Sequence, residues 1–248
     1  MNTFLSNLTK LWDNIQSNVV FLLQFIGIMA VIILIACLAE HIIRRKNAVK
    51  EKVLSTRKIA VIGIMSAIAA VLMLFEFPLP FVPSFYKLDL SELPILLCGF
   101  AYGPIAGVVA EAVKILLNFI LDGTTTAFVG ELANFVVGSV FVLTATIIYH
   151  IKKSKKMAII ACICATLVLT AAGTAFNGIY LLPKFSELYG IPMDALIAMG
   201  TKVNSNVDGL GTFLLLCVAP INIIKGCVVS VITIILYRPL RPLLKKNI

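Results

Sequence analysis

Charged side chains are scarce in this chain of 248 residues, of which only 13% are Asp, Glu, Lys or Arg. A soluble globular domain carries about 25% charged residues, so a water-facing surface is excluded for most of the chain. Hydrophobic residues make up 60% of the sequence, the mean hydropathy is +1.03, and the apolar residues form long blocks. Because about 20 apolar helical residues cross the hydrocarbon core of a bilayer, the sequence predicts an all-α integral membrane protein.

Motifs for nucleotide binding and hydrolysis are missing from the sequence. It contains no GxxxxGK(S/T) phosphate-binding loop, so the chain does not bind ATP in that manner. HExxH and GxSxG motifs are absent, and neither histidine lies near a plausible nucleophile. We therefore expect that the chain is not an enzyme, and that any ATP-driven transport draws its energy from another polypeptide.

Ligands for metals are few, since the chain has two histidines, His41 and His150. All six cysteines lie inside apolar runs, and Cys162 and Cys164 have the wrong spacing for a CxxC motif. This pattern is typical of small packing residues rather than of disulfides or a metal site. We expect no metal and no bound cofactor.

The formal charge of +9 comes from Lys and Arg residues that gather between the apolar blocks, at 44–58, 152–156 and 238–246. Loops rich in Lys and Arg stay on the cytoplasmic side of a membrane. We therefore place these segments in the cytoplasm of a multi-pass plasma-membrane protein, with the N-terminus outside and the C-terminus inside. The charge distribution indicates topology control rather than nucleic-acid binding.

Several membrane-spanning segments fit this charge distribution. The predicted spans are 19–43, 59–75, 91–101, 104–121, 128–150, 157–182 and 209–237. Residues 1–18 are expected to form a short interfacial helix, and residues 184–208 an external segment. We divide the chain into residues 1–56, which hold an extra span and a basic linker, and a six-helix membrane domain at 57–248.

The stretch 93–121 is interpreted as two helices broken at Tyr102-Gly103-Pro104. A single crossing there would place the basic residues 152–156 outside, against the charge rule. The first of the two helices is only about 16 Å long at about 1.5 Å per residue, so it must be shielded by protein. The segment 76–92 before it contains three prolines, which exclude a regular helix and predict an external loop.

Ionisable groups inside predicted spans are costly and are candidates for function, and four charged residues in such positions stand out. Glu111 and Lys114 are three residues apart, so they either form an ion pair on one helix or serve a function. Glu131 lies near the outer end of its helix, where it either binds a ligand or reaches interfacial water. Lys225 lies in mid-span, three residues after Asn222. It either binds a ligand or pairs with one of the two glutamates.

A second polar position in an apolar span is Asn177, which has glycines nearby at 173 and 178. Its amide either binds a ligand or forms an interhelical hydrogen bond. Together with Asn222 and Lys225 it describes an apolar pocket with few polar groups, which is typical of a small-molecule site. A flat heteroaromatic ligand with a polar edge would suit such a pocket.

Small residues form a stripe at helical spacing on the span 59–75. They are Ala60, Gly63, Ala67 and Ala70. Such a stripe lets another helix approach closely. The partner is either a neighbouring helix of the same chain or another membrane protein.

Five short segments carry a family resemblance. They are FPLP at 77–80, FYKLDLSELP at 85–94, GFAYGP at 99–104, GELANF at 130–135 and APINIIK at 219–225. From Arg57 onward the chain thereby resembles the substrate-binding S-components of energy-coupling factor (ECF) vitamin transporters, and most of all the riboflavin-specific ones. The loop and the Gly-Pro turn are shared among S-components, whereas the Asn-x-x-Lys pattern of the last span is more specific to flavins.

The resemblance implies a six-helix domain that binds riboflavin outside and releases it into the cytoplasm, together with a transmembrane T-component and two ATPase subunits. The site residues it implies are Asn222, Lys225, Asn177, Glu131, Asn134, Phe85, Leu88 and Asp89. The first three would hydrogen-bond the polar edge of the isoalloxazine ring, the next two would approach the ligand, and the last three would form a lid. The small-residue stripe would dock on the T-component. The extra span within residues 1–56 departs from the family pattern.

Two alternative functions stay open from the sequence. One is an S-component for another vitamin, such as thiamine or pantothenate. The other is an ion-coupled secondary carrier in which Glu111, Lys114 and Glu131 form a proton relay.

Overall fold

A computed structural model describes residues 18–46, 55–124, 126 and 128–245, the last segment with backbone alone at 238 and from 240 onward. The interfacial helix predicted for residues 1–18 lies outside the described residues except for Asn18, and so does most of the predicted basic linker.

Helices account for nearly all of the described chain. They are α1 (Val19–Lys46), α2 (Thr56–Met73), α3 (Glu92–Tyr102), α4 (Pro104–Leu121), α5 (Val129–Ile151), α6 (Lys155–Phe176), α7 (Leu182–Tyr189), α8 (Met193–Val203), α9 (Leu210–Phe213) and α10 (Ala219–Lys245). A π-helical turn at Asn177–Leu181 joins α6 to α7, and a second at Leu214–Val218 joins α9 to α10.

Six helical segments in the described part of the chain are long and apolar enough to cross a membrane. They are α1, α2, α4, α5, the continuous helix Lys155–Tyr189 and the continuous helix Leu210–Tyr237. The shorter apolar helix α3 accompanies them. The predicted all-α membrane bundle, with a helix added on the N-terminal side of a six-helix domain, is confirmed.

The predicted break between α3 and α4 is present at Gly103, whose φ of 105° lies in the left-handed region that favours glycine. Pro104 follows as the first residue of α4, where its missing N–H removes no helical hydrogen bond. Helix α3 packs against α2, α4, α5 and α10, and most of its 11 residues are buried. This short helix is therefore shielded by protein, as expected.

Two prolines lie within long helices rather than at their ends. The sequence predicts that the span 157–182 ends near Pro183, and this prediction was wrong, because the helix continues to Tyr189. The Leu182 N–H donates to the Asn177 carbonyl five residues earlier, which widens the turn just before the proline. Pro220 follows a second wide turn of the same kind. A wide turn relieves the clash between a proline ring and the preceding turn of a regular helix.

The loop between α2 and α3 contains no helix among its residues, as its prolines predict. Strands β1 (Phe77–Pro78) and β2 (Lys87–Leu88) pair antiparallel at its base, with Phe77 opposite Leu88. Helices α7 and α8 occupy much of residues 184–208, for which the sequence predicted an external segment but no helices.

Helix α1 packs against α4 and α5 along one side. Its buried residues are Phe21, Phe25, Ala36 and Glu40. Large apolar side chains such as Leu23 and Leu34 are exposed on its other sides, which is the surface that lipid covers on a peripheral membrane helix.

Candidate ligand-binding site

A cavity of about 170 Å³ lies among the α2–α3 loop, the α4–α5 connection, α5 and the turn between α6 and α7. Its apolar lining includes the aromatic rings of Phe85, Tyr86 and Phe185. The side-chain amides of Asn134 and Asn177 face the same space. A surface of this kind suits a small ligand with apolar faces and a polar edge.

Four of the predicted ligand residues line this cavity directly, and four do not. The lining residues are Phe85, Glu131, Asn134 and Asn177, whereas Leu88, Asp89, Asn222 and Lys225 are absent from the lining. Lys225 nevertheless borders it, because its Nζ lies 3.4 Å from Asn134 Oδ1. Asp89 Oδ2 in turn accepts a hydrogen bond from the Lys225 ammonium at 3.0 Å.

Asn222 lies behind the cavity wall rather than in it. A Cβ added at Gly173 would lie 3.0 Å from Asn222 Nδ2, so the glycine lets this amide approach α6. The Asn177 amide donates to the Gly173 carbonyl at 2.9 Å, which places Asn222 one helical turn from a lining residue. Asn222 Nδ2 is buried without a hydrogen-bond partner among the described residues. A buried donor in this state is available to a ligand or a water.

Tyr86 closes the cavity from the α2–α3 loop, although it was not predicted from the sequence as a site residue. Its hydroxyl donates to Asn177 Oδ1 at 2.8 Å. Burial raises the pKa of Tyr86 above its ordinary value, so the phenol stays protonated as a donor. The neighbouring Phe85 stacks on Phe185 with ring centroids 5.6 Å apart. The loop thus forms an aromatic lid. The position of Tyr86 next to Phe85 was the signal in the sequence that could have identified it.

The π-helical turn shapes the wall that carries Asn177. A π turn inserts one residue into the helical repeat and changes the direction in which side chains point. Asn177 opens this turn, and Leu181 closes it and lines the same cavity. The structure therefore explains why a lone Asn in an apolar span engages the lid and the cavity rather than a neighbouring helix alone.

A cluster of buried charges adjoins the cavity; we call it the charged cluster. It consists of Asp89, Glu92, Glu111, Lys114 and Lys225. Lys225 Nζ lies 3.0 Å from Asp89 Oδ2 and 2.9 Å from Glu92 Oε1. Lys114 Nζ lies 2.6 Å from Glu111 Oε1 and 3.4 Å from Glu92 Oε1.

Two predictions are decided by these distances. The ion pair between Glu111 and Lys114 at i and i+3 is confirmed. Of the two alternatives for Lys225, the pairing with Glu111 or Glu131 was wrong, because Asp89 and Glu92 are the carboxylates beside its ammonium group. Asp89 belongs to the lid and Glu92 to the start of α3. Both are far from α10 in the sequence, so their contact with Lys225 could not be predicted from it.

Asp89 joins the lid to the charged cluster. Burial alone would raise the pKa of the Asp89 carboxyl, but the Lys225 and Lys114 ammonium groups and the hydrogen bonds from Ser91 lower it to about 2. The Ser91 N–H donates to Asp89 Oδ1 at 2.7 Å. The carboxylate is therefore ionised at neutral pH, and the lid is held to α10 by a buried ion pair.

Glu131 is buried in the first turn of α5, where it accepts a hydrogen bond from a threonine hydroxyl. The Thr126 hydroxyl donates to Glu131 Oε2 at 2.9 Å and accepts from the Gly130 N–H at 2.9 Å. Glu131 therefore belongs to a hydrogen-bond network with Thr126, separate from the ion pair of Glu111 and Lys114 in the described structure.

Further residues line the cavity that were not predicted as site residues, although Lys87, Gly130 and Ala133 lie in segments that carry the family resemblance. These further residues are Met73, Glu76, Lys87, Asn118, Asp122, Gly123, Thr126, Val129, Gly130, Ala133, Leu181 and Leu182. Glu76 and Lys87 form an ion pair at the rim. Residues of these types are common in any membrane protein, and only the fold brings these ones together around one cavity.

The small-residue stripe divides between two environments. Ala60, Gly63 and Ala67 are exposed in the described part of the chain, and a Cβ at Gly63 would meet no atom within 4 Å. Ala70 is fully buried against the bundle, so its assignment to an exposed docking face was wrong. Packing within the chain thus explains Ala70, and the other three leave a smooth patch on α2, which we call the α2 patch.

The six-helix part of the chain matches a known protein family. Residues 57–237 match the family described as "ECF transporter, substrate-specific component". This range contains the five short segments that carried the resemblance, and α1 precedes it.

Alignments with individual relatives cover nearly the whole length of each relative. It is 39% identical over 190 residues to the riboflavin transporter RibU of Staphylococcus aureus (strain TCH60), covering 77% of this chain and 93% of that protein. It is 29% identical over 195 residues to the riboflavin transporter FmnP of Bacillus subtilis (strain 168), covering 78% and 97%. A solved S component of a bacterial ECF transporter aligns with a TM-score of 0.59 at 38% identity, covering 76% of this chain and 98% of that one. These relatives are named as transporters, not as enzymes.

Proposed function

Since the chain belongs to the substrate-specific components of ECF transporters, we propose that it is the subunit that binds riboflavin for import. The observation that carries this proposal is the cavity in which the Asn134 and Asn177 amides lie beneath an aromatic lid. The names of the relatives from Staphylococcus aureus and Bacillus subtilis support the choice of riboflavin.

The chemistry of the cavity matches that of a flavin ring. An isoalloxazine has two flat apolar faces and one edge with alternating hydrogen-bond donors and acceptors. A side-chain amide offers both a donor and an acceptor, so Asn134 and Asn177 suit that edge. Lys225 adds a cationic donor next to Asn134, and Asn222 adds a buried amide without a partner in the described chain.

The lid supplies the apolar contact and closes the site. Phe85 and Tyr86 lie over the cavity, and offset stacking on an aromatic ligand adds to the energy of burying it. Leu88 and Asp89 anchor the far side of the lid, because Leu88 is buried and Asp89 pairs with Lys225. Release of riboflavin then requires that Tyr86 leaves Asn177 and that the lid lifts.

The placement of charge supports import from outside to the cytoplasm. Glu40, near the end of α1, interacts electrostatically with Arg44, Lys58 and Lys153, so the basic segments gather at one end of the bundle. Positive charge marks the cytoplasmic end. The lid follows the end of α2 remote from Lys58, which puts the cavity on the outer side.

Transport itself would require partners that this chain lacks. We propose that residues 57–248 form the substrate-binding domain, that the α2 patch docks on a transmembrane T-component, and that two ATPase subunits supply the energy. Small residues favour such contacts because they let helix backbones approach closely.

The proposal is tested by purifying the full chain in detergent and recording its visible spectrum. A flavin absorbs visible light, whereas thiamine and pantothenate do not. We expect a yellow preparation or, after the ligand is stripped, heat on titration with riboflavin and none with the other two vitamins. A colourless preparation that releases heat only with another vitamin would reassign the ligand within the same family.

Energy coupling is tested separately in cells that also contain the T-component and ATPases. We expect riboflavin uptake to continue when the proton gradient is collapsed and ATP is maintained, and to stop when the ATPases are inactivated. The opposite result would favour the proton-coupled carrier, in which Glu111, Lys114 and Glu131 relay protons.

A further inference from the structure

Helix α1 lies outside the residues that match the transporter family, yet it contacts the two walls of the cavity. It packs along α4 and α5, which carry the wall from Asn118 to Asn134. Near its outer end it also reaches the π turn that begins with Asn177. The structure therefore places an addition to the family fold directly behind the proposed ligand site.

The first contact is aromatic. Phe25 of α1 is buried, with its ring centroid 6.3 Å from that of Phe119 and 6.4 Å from that of Phe135. Phe119 in turn meets Phe128 edge to face at 5.3 Å. Phe119 and Phe128 directly adjoin the lining residues Asn118 and Val129 in the chain. Phe25 thus lies one ring behind this wall of the cavity.

The backbone at Phe128 needs this support. Its φ of 70° makes it the one non-glycine residue with positive φ in the described chain, a conformation that is strained for a bulky side chain. Such strain persists only where the surroundings hold the residue in place. The Phe128 N–H donates to Thr124 Oγ1 at 3.0 Å, and the Phe119 ring packs edge to face against the buried Phe128 side chain. The turn leads into Gly130 and Glu131 of the cavity lining.

The second contact is a hydrogen bond to the opposite wall. Tyr180, in the same π turn as Asn177, donates from its hydroxyl to Gln24 Oε1 at 2.8 Å. Gln24 precedes Phe25, so adjacent residues of α1 contact the two walls that carry the amides of the cavity.

A third contact fixes the other end of α1. Glu40 is buried, and its Oε2 accepts a hydrogen bond from the Ile105 N–H at 3.0 Å, at the break between α3 and α4. A carboxylate at the start of a helix satisfies a free N–H group and complements the helix dipole. Helix α1 is thereby attached at both ends.

We propose that α1 is a positioning element for the ligand site, with Phe25 and Gln24 holding the two cavity walls in the geometry that binds the ligand. The inference rests on the proposed function in one respect, since the ligand used to measure it is riboflavin. Phe25 and Gln24 touch no ligand in this scheme and act through Phe119, Phe128 and Tyr180.

The test compares Phe25→Ala with Leu23→Ala and Ile26→Ala in the full chain. Leu23 and Ile26 flank Phe25 on α1 but are 64% and 60% exposed. We expect Phe25→Ala to weaken riboflavin binding about tenfold, measured by quenching of flavin fluorescence, and the two controls to stay within about twofold of the unmodified protein. Phe25→Leu keeps apolar volume behind the wall and should restore most of the affinity.

A measurement without ligand separates this inference from the proposed function. Hydrogen exchange of the backbone at 118–134 should be faster in Phe25→Ala than in either control, while exchange in the first half of α6 stays the same. In Gln24→Ala the faster exchange should appear at 177–182, and Gln24→Glu, which keeps an acceptor oxygen, should reverse it.

Each combination of results decides the matter. Unchanged affinity in Phe25→Ala overturns the inference even if exchange becomes faster, and weaker binding without faster exchange in the wall overturns it as well. If the unmodified protein does not bind riboflavin, the proposed function fails. Exchange at 118–134 and 177–182 then decides alone whether α1 orders the walls.

Discussion

The charged cluster and the cavity beside it are both polar, but they satisfy their polar groups in different ways. Each ammonium group of the cluster has two carboxylate partners within 3.4 Å. The amide of Asn177 instead bonds the lid through Tyr86 and its own helix through Gly173. We propose that the ion pairs hold the helices and the lid together, and that the neutral amides, with Lys225 beside Asn134, meet the ligand. A neutral vitamin then enters without neutralising a buried charge.

The largest effect should follow removal of the amine at the centre of the cluster. Lys225→Ala leaves Asp89 and Glu92 buried with one cation fewer, and breaking a buried ion pair in this way costs about 3–5 kcal/mol of stability. We expect a much lower melting temperature in detergent and loss of riboflavin binding.

A double variant separates the two roles of Lys225. Lys225→Met combined with Asp89→Asn removes one charge of each sign, while Glu92 keeps Lys114 as a partner. Stability should largely recover, but riboflavin affinity should not. If the double variant binds riboflavin as the unmodified protein does, Lys225 serves only the charged cluster.

The next effect in size concerns the amide side of the comparison. Asn177→Ala removes a group that we assign to the ligand edge and to the lid, and loss of such a hydrogen-bonding group costs about 1–3 kcal/mol. Riboflavin affinity should fall by about tenfold to a hundredfold, as titration calorimetry would measure. Thr170→Ala is the control, because the Thr170 hydroxyl bonds only the Thr166 carbonyl of its own helix in the described structure. Equal affinities in the two variants would contradict the assignment of Asn177.

A smaller effect is expected from pH. The pKa of Asp89 is lowered from 3.8 to about 2, so its contribution to stability is fully present above 3.8 and is lost as the pH falls toward 2. Riboflavin affinity should therefore be constant between about pH 5 and about pH 8 as far as Asp89 is concerned. A fall in affinity toward the acidic end of this range, abolished by Asp89→Asn, would show that the lid carboxylate titrates near neutrality.

The smallest effect on ligand binding should come from the α2 patch. Gly63→Leu adds a branched side chain where no atom lies within 4 Å, so the fold and the riboflavin affinity should not change. Close approach of a partner helix should be blocked, and co-purification with the T-component should be lost. Ile64→Ala, at an exposed neighbouring position, is the control. Retained co-purification would place the docking face elsewhere.

The fold followed from the sequence because two simple rules apply along a membrane chain. Apolar length identifies the spans, and the position of Lys and Arg required two helices across 93–121, which the break at Gly103 confirms. The same approach failed at Pro183, since a preceding π turn lets a helix pass a proline. No residue pattern in the sequence predicted that turn.

The site was predicted only in part, for a different reason. Asn177 lines the cavity as expected, because a polar group in an apolar span stands out in the sequence, whereas Asn134 and Phe85, which line it too, were implied only by the family resemblance. Tyr86 was missed because an aromatic residue in a loop is common. The alternative that paired Lys225 with Glu111 or Glu131 named the wrong carboxylates, since Asp89 and Glu92 lie far from Lys225 in the chain and only the fold brings them beside it.

The sequence alone determined the membrane environment, the six-helix bundle with one further helix before it, and the break at Gly103. These properties depend on composition and local spacing. The tertiary structure decided which carboxylates neutralise Lys225, how Tyr86 reaches Asn177, and where Phe25 of α1 packs behind the cavity wall. Those contacts join residues far apart in the chain. They depend on how the helices pack against one another, which local sequence patterns do not reveal.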